Sequence, residues 1–173
     1  MRKYNKRHFY PIIKYDPKYR ANSGEYLKDE WTSYSAIGKQ FDGAFLVREE
    51  YEKIEDLYVK AVFLTIDFFD SKKIKVNHIL KLNNQKRAKL KDDIDLCKYL
   101  KLFETGNVIA DRQIIAILLK LKLRDYICEL ELLIDGKSRS EIVFGFDYYM
   151  YLRTNQDVNP LLKKINKVGL FTK

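Results

Sequence analysis

Two cysteines, two histidines and several closely spaced carboxylates are the residues of this chain whose types could do chemistry. Cys97 in "DLCKYL" or Cys128 in "DYICELEL" could act as a nucleophile with His78 as base, but no activated-nucleophile motif surrounds either. Both thiols stand among apolar residues, where a free cysteine usually fills core volume, and that reading is preferred. His8 and His78 are far apart, and no Cys-x-x-Cys or His-x-x-x-His spacing occurs, so neither a metal nor a cofactor is expected. "DGKSRS" contains a Gly-Lys-Ser step, yet a phosphate-binding loop needs glycine five positions before Gly136, where Glu131 stands. Glu129 and Glu131 share one face of a strand, and Glu52 and Asp56 lie one helical turn apart. Exposed acidic pairs of this kind are common on protein surfaces, so neither is read as a general acid/base pair. No catalytic residue and no small-molecule substrate are expected.

The composition of the 173 residues, 46% hydrophobic and 33% charged, fits one folded domain with a heavily solvated surface and argues against intrinsic disorder. The longest apolar runs, "AVFLTI" and "IIAILL", are too short to span a bilayer, and no signal-peptide core follows the basic start, so a cytoplasmic protein without a membrane partner is expected. The formal charge of +9 is unevenly spread. From Met1 to Gly24, seven bases (Arg2, Lys3, Lys6, Arg7, Lys14, Lys18, Arg20) accompany one acid, Asp16. That divides the chain into a basic N-terminal arm, residues 1–24, and a mixed-charge domain, residues 25–173. A second basic stretch, Lys86 to Lys91, reads as a solvated connection.

The elements that must position these side chains follow from periodicity. "LVREEYEKIEDLYVKAVFLTIDFF" repeats apolar residues at three- and four-residue steps with glutamates in its first turns, which predicts an amphipathic helix. "KVNHILKL" is ambiguous between helix and strand. "DDIDLCKYLKLFETG" predicts a second helix stopping at Gly106, and "DRQIIAILLKLKLRD" a third, opening at Asp111 and central to the core. The pattern then changes to β: "YICELELLI" and "SEIVFGFDYYMYL" flank Asp135-Gly136, a hairpin signal. "NPLLKKINKVGLF" predicts a last short helix from Asn159 to Gly169. The expected architecture is a single α+β domain, helical in its N-terminal and central part, followed by a C-terminal antiparallel hairpin or sheet and a final helix.

"IVFGFDYYMYL", Ile142 to Leu152, tests whether the basic charge serves nucleic acid. An RNA-recognition strand wants a basic residue and a glycine ahead of its aromatics, and here Ile142 and Val143 occupy those positions. As one strand it would place Phe144, Phe146 and Tyr148 on a core face and Asp147, Tyr149 and Tyr151 on the other. Asp147 would repel phosphate, whereas tyrosines suit a protein partner.

Several stretches in order, "EWTSYSAIGKQFDG", "EEYEKIEDLYVKAV", "LKLRDYICELEL", "FGFDYYMYL" and "VGLF", give a chain that resembles the ribonuclease-toxin immunity proteins of bacterial contact-dependent growth inhibition, the CdiI type. The resemblance runs from Tyr26 to the C-terminus. It implies a non-enzymatic protein that binds the C-terminal nuclease domain of its cognate CdiA toxin, an RNA-cleaving domain of which the EndoU type is one candidate. The family pattern falls on Trp31, Ser33, Gly38, Phe41, Gly43, Glu55, Gly145, Asp147, Tyr148 and Tyr149. Of these, Trp31, Gly38, Gly43, Gly145 and Tyr148 are expected to shape the fold. Toxin contact is expected from acidic and aromatic side chains, with Glu30, Asp42, Glu49, Asp147, Tyr149 and Tyr151 as candidates. Because the chain is net basic, inhibition by charge mimicry of RNA requires either a local acidic patch or an unusual partner. The alternative is an RNA- or DNA-binding module built on the arm and the Lys86–Lys91 stretch.

Overall fold

A computed structural model of the chain describes residues 7–83, 94–135 and 138–172. In chain order the strands are β1 (His8–Ile13), β2 (Gln40–Phe41), β3 (Ala44–Phe45), β4 (Ile74–Lys81), β5 (Val108–Ile109), β6 (Ile127–Asp135), β7 (Ser140–Phe144), β8 (Met150–Thr154) and β9 (Phe171–Thr172). The helices are α1 (Arg48–Phe68), α2 (Ile94–Cys97), α3 (Arg112–Leu123) and α4 (Asn159–Val168). Seven strands form one antiparallel sheet in the order β5-β4-β6-β7-β8-β1-β9, and β2 and β3 make a separate small hairpin. The domain is α+β, as expected.

Strand alternation gives the sheet one apolar face. Val76, Leu132, Ile142 and Leu152 lie across neighbouring strands in register, as do Leu130, Phe144 and Met150, and all are buried. Residues of α1, α3 and α4, such as Tyr58, Val62, Leu118 and Leu161, complete this core. Asp111 caps α3 by accepting from the main-chain N–H groups of Gln113 and Ile114. Gly169, with φ 109°, ends α4 in the left-handed conformation that glycine favours.

Four readings change or are resolved. "KVNHILKL", ambiguous between helix and strand in the sequence, is a strand, β4, between β5 and β6. The expected second helix is one α turn, α2, continued as a 3₁₀ turn over Lys98–Leu102. Leu100 and Phe103 are its buried pair, and a three-residue spacing suits the 3₁₀ repeat, which aligns residues i and i+3. Gly106 does not stop a helix: its N–H donates to the Val76 carbonyl at 2.7 Å, tying the loop to β4. Residues of the expected N-terminal arm belong to the sheet, since β1 lies between β8 and β9. The fourth change is in "IVFGFDYYMYL", which is two strands and a tight turn. The Asp135 to Ser140 hairpin forms as expected, although Gly136 itself and the Lys86–Lys91 stretch lie outside the described residues.

Inside the core, Glu55 of α1 is fully buried and receives two hydrogen bonds from Arg124, at 2.6 and 2.7 Å, while Lys120 stands 3.4 Å away. Such a pair is held by mutual satisfaction: two charges leave water together only when each meets its partner in good geometry. It fixes α1 to the end of α3.

Candidate functional site

The turn that joins β7 to β8 is built by left-handed backbone. Asp147 and Tyr148 have φ of 51° and 59°, and the Tyr149 N–H donates to the Phe146 carbonyl at 2.9 Å, closing a turn of the hairpin-favoured type. Aspartate tolerates this conformation; a bulky aromatic residue does so only when its surroundings hold it there. Tyr148 is held on all sides. Tyr58 Oη donates to its carbonyl at 2.5 Å, and its own hydroxyl lies 2.8 Å from Tyr51 Oη and 2.9 Å from the Leu123 carbonyl. Its ring meets Trp31 edge-to-face at 5.1 Å, in a buried cluster with Tyr51 and Tyr58. Tyr15 Oη adds a 2.7 Å bond to the Asp147 carbonyl. Gly145 fits closely at the foot of the turn: a Cβ there would come within 3.2 Å of the Tyr151 ring and 3.3 Å of the Tyr149 carbonyl, so those neighbours would have to give by a few tenths of an ångström.

The consequence is the placement of Phe146, which stands 82% exposed on a rigid support. It forms a ridge between two hollows. The larger, about 290 Å³, is lined by Thr32, Ser33, Lys122, Asp125, Cys128 and Asp147, with Tyr58 and Tyr149 among its walls. The smaller, about 180 Å³, is lined by His78, Glu129, Glu131 and Val143. Four carboxylates (Asp125, Asp147, Glu129, Glu131) thus surround the ridge against Lys122 and His78, a reversal of the chain's overall sign. His78 Nε2 is 2.9 Å from Glu129, and Glu131 is 4.0 Å from Arg153. Among the described residues, Asp125 and Asp147 form no ion pair.

Lys122 Nζ donates to the Cys128 carbonyl at 2.8 Å, and burial lowers its pKa. The Asp125 carboxyl is pushed above its usual range, first by loss of solvent from the packed wall behind it and further by the Asp147 charge, against the opposing pull of Lys122 and the Tyr34 N–H. The Cys128 thiol makes no hydrogen bond to His78, whose imidazole is engaged by Glu129. Among the described residues no group of three or more His, Cys, Asp or Glu could hold a metal ion. Nor is any described helix long and apolar enough to cross a membrane.

The six residues read from the sequence as toxin contacts fall unevenly. Asp147 is exposed at the turn, and Tyr149 and Tyr151 stack at 6.1 Å beside it. Tyr149 also receives a hydrogen bond from Arg20 and lies 5.8 Å from the Tyr15 ring. Glu30 turns instead toward Lys14, 3.3 Å away, whose buried ammonium sits 3.8 Å over Trp31 and 4.5 Å over Tyr15. Asp42 occupies the left-handed tip of the β2–β3 hairpin, 3.7 Å from Lys28. Glu49 is exposed in the first turn of α1, and among the described residues no hydrogen bond, ion pair or ring contact joins it to the others. Trp31 and Tyr148 are buried, and Gly38 and Gly43 have positive φ.

Sequence reasoning placed Phe146 on the core face and passed over Asp125 and Lys122. The signal that could have found Phe146 was the Asp-Tyr step after it, since aspartate is among the few residues that enter a left-handed turn. The four described bases of the N-terminal region have partners within the chain: Arg7 contacts Glu141 at 2.9 Å, Lys18 contacts Asp16 at 2.8 Å on the surface, Lys14 meets Glu30, and Arg20 meets Tyr149 and the Gly24 carbonyl. Compared with known protein families, with curated proteins and with solved structures, the chain matches none.

Proposed function

We propose that this chain is a stoichiometric immunity protein that binds the ribonuclease domain of a contact-dependent growth inhibition toxin and closes its active site or RNA groove, without chemistry of its own. The observation that supports this best is Phe146, an aromatic side chain 82% exposed on a turn braced from below by three tyrosine hydroxyls. Preorganised aromatics ringed by polar groups are what protein interfaces use as anchors, because little conformational freedom is lost on docking. The ring of carboxylates around Phe146 suits a nuclease surface, which must be basic to hold RNA. It is the local acidic patch that charge mimicry needs on a chain of +9.

Protection of a cell requires near-complete occupancy, so a dissociation constant in the nanomolar range or below is expected, about −12 kcal/mol or stronger. The reaction is association alone, and a slow off-rate sets its effectiveness. The test is co-expression with the nuclease domain encoded by the neighbouring upstream frame. Rescued growth and a one-to-one complex on size exclusion support the reading; unrescued growth and separate elution overturn it. The nucleic-acid alternative draws less support from the described residues, where Arg7, Lys14, Lys18 and Arg20 have partners within the chain; Arg2, Lys3, Lys6 and the Lys86–Lys91 stretch lie outside them. A gel shift with tRNA that vanishes on adding salt would revive it.

A further inference from the structure

We propose that the larger hollow beside Phe146 is a receptor for one guanidinium group, an arginine side chain of the protein partner, held between Asp125 and Asp147. This rests on the reading of the chain as a toxin-binding protein and names the chemistry by which that face would be read.

The inference stands on charge, shape and wall chemistry together. The hollow's ionisable lining is Lys122, Asp125 and Asp147, so one negative charge is in excess and a single cation neutralises it. Lys122 and the Tyr34 N–H offset the Asp125 charge only in part: the Lys122 ammonium donates to the Cys128 carbonyl, and neither aspartate forms an ion pair among the described residues. Both aspartates are held by left-handed backbone, φ 63° at Asp125 and 51° at Asp147, at the ends of separate turns. The Asp147 charge adds to the burial that opposes ionisation of Asp125, and a cation placed between the two relieves it.

A volume of about 290 Å³ lies at the small end for ligand sites and suits one long side chain better than a nucleotide. The walls include the aromatic residues Tyr58, Phe144, Tyr148 and Tyr149, which suit the apolar stem of a long side chain, while Thr32 and Ser33 supply hydroxyl acceptors. Guanidinium is preferred over ammonium because it is planar, weakly hydrated and able to bridge two carboxylates through separate N–H groups. An RNA-cleaving partner offers such a group wherever it contacts phosphate.

The experiment needs no toxin. The full chain, labelled with ¹⁵N, is titrated with Nα-acetyl-arginine amide, with Nα-acetyl-glutamine amide as the neutral control. Saturable, millimolar shifts of the Thr32, Ser33, Asp125, Cys128 and Asp147 amides are expected with the arginine probe alone. Asp125→Asn with Asp147→Asn removes both charges at nearly constant shape, and asparagine is at home in left-handed backbone, so the variant is expected to fold. It should bind the arginine probe at least about tenfold more weakly, the loss expected for charge-assisted hydrogen bonds. No saturable shift, equal shifts with the glutamine probe, or wild-type affinity in the double variant overturns the proposal. The two readings fail separately. A toxin complex without arginine binding sinks the receptor alone, whereas arginine binding without a toxin complex leaves the receptor and removes the immunity function.

Discussion

The phenol of Tyr58, in the middle of α1, donates a 2.5 Å hydrogen bond to the main-chain carbonyl of Tyr148, in the turn between β7 and β8. Helix and turn are 90 residues apart in sequence, and this bond makes the helix the seat on which an unfavourable backbone conformation rests. Tyr58→Phe keeps the ring and removes the bond, leaving a buried carbonyl without its donor. The expected cost is about 1–3 kcal/mol of stability. Urea unfolding followed by near-ultraviolet circular dichroism reads it, and an unchanged midpoint would show that the turn is held without the phenol.

Phe146→Ala should separate binding from folding. The side chain is 82% exposed, so stability should change by no more than about 0.5 kcal/mol. Affinity for the toxin domain, by calorimetry, should fall by about 2 kcal/mol or more if Phe146 is an interface anchor. Asp147→Asn and Tyr149→Ala should each cost about 1 kcal/mol. Wild-type affinity in all three would move the interface away from this turn.

Glu55→Gln tests the buried charge pair. It leaves the buried Arg124 guanidinium with a neutral partner at position 55 and the half-exposed Glu52 carboxylate 3.4 Å away, and a loss of about 3–5 kcal/mol is the general upper cost of breaking such a pair. Replacing both residues, Glu55→Leu with Arg124→Met, should recover most of that loss in equilibrium denaturation. A double variant no better than the single one would show that Lys120, 3.4 Å from Glu55, or the packing around it dominates.

Lys14 predicts a pH dependence. Its ammonium, with the side chain only 2% exposed, has a pKa lowered from 10.5 to about 8, chiefly by burial and against the pull of Glu30. The folded protein therefore binds fewer protons than the unfolded chain between about pH 8 and 10.5, and stability rises with pH across that window. Below pH 8 both states are protonated and the full cost, on the order of 3 kcal/mol, is present. Lys122, shifted in the same direction, adds to the rise. The buried phenols of Tyr51, Tyr58 and Tyr148 act oppositely: burial raises their pKa values, so the stability they contribute is lost as pH climbs above about 10. Denaturation midpoints should increase from pH 7.5 to 9.5 in the wild type and increase less in Lys14→Met. A flat wild-type profile would mean that Glu30 and the faces of Trp31 and Tyr15 offset burial completely.

Periodicity made α1, α3 and α4 legible because each exposes polar and buries apolar residues at helical spacing, and Asp111 and Gly169 mark their ends as the general rules have it. Alternation likewise revealed β6 and β7. The same alternation concealed the turn at Asp147: aromatics continue on every second residue straight through it, and no glycine follows the aspartate. What stabilises Tyr148 there is tertiary, a set of partners drawn from α1, the end of α3 and Trp31, and a local reading has no access to it. β1 was hidden differently. Pro11 demotes its run as a strand, and among the described residues β9 pairs with Ile12 and Ile13 and not with Pro11, near the edge where proline is tolerated. The acidic ring around Phe146 joins Asp125, Glu129 and Glu131 of one stretch to Asp147 of another, and only the fold brings the two together.

The pairing of β1 with β8 sets the order in which the molecule can be completed. His8 is opposite Thr154, so β1 waits for a strand made much later in synthesis before it has a neighbour on that side. Until then its apolar residues Ile12 and Ile13 have nowhere to go, and the buried Lys14 that follows them has no Trp31–Tyr15 cage pressed against a finished sheet. Contacts of such long sequence separation close late and slowly. Nascent chains stalled before residue 154 should therefore be the protease-sensitive ones, and synthesis of the β8 segment, more than any local helix formation, is the event that makes the protein resistant.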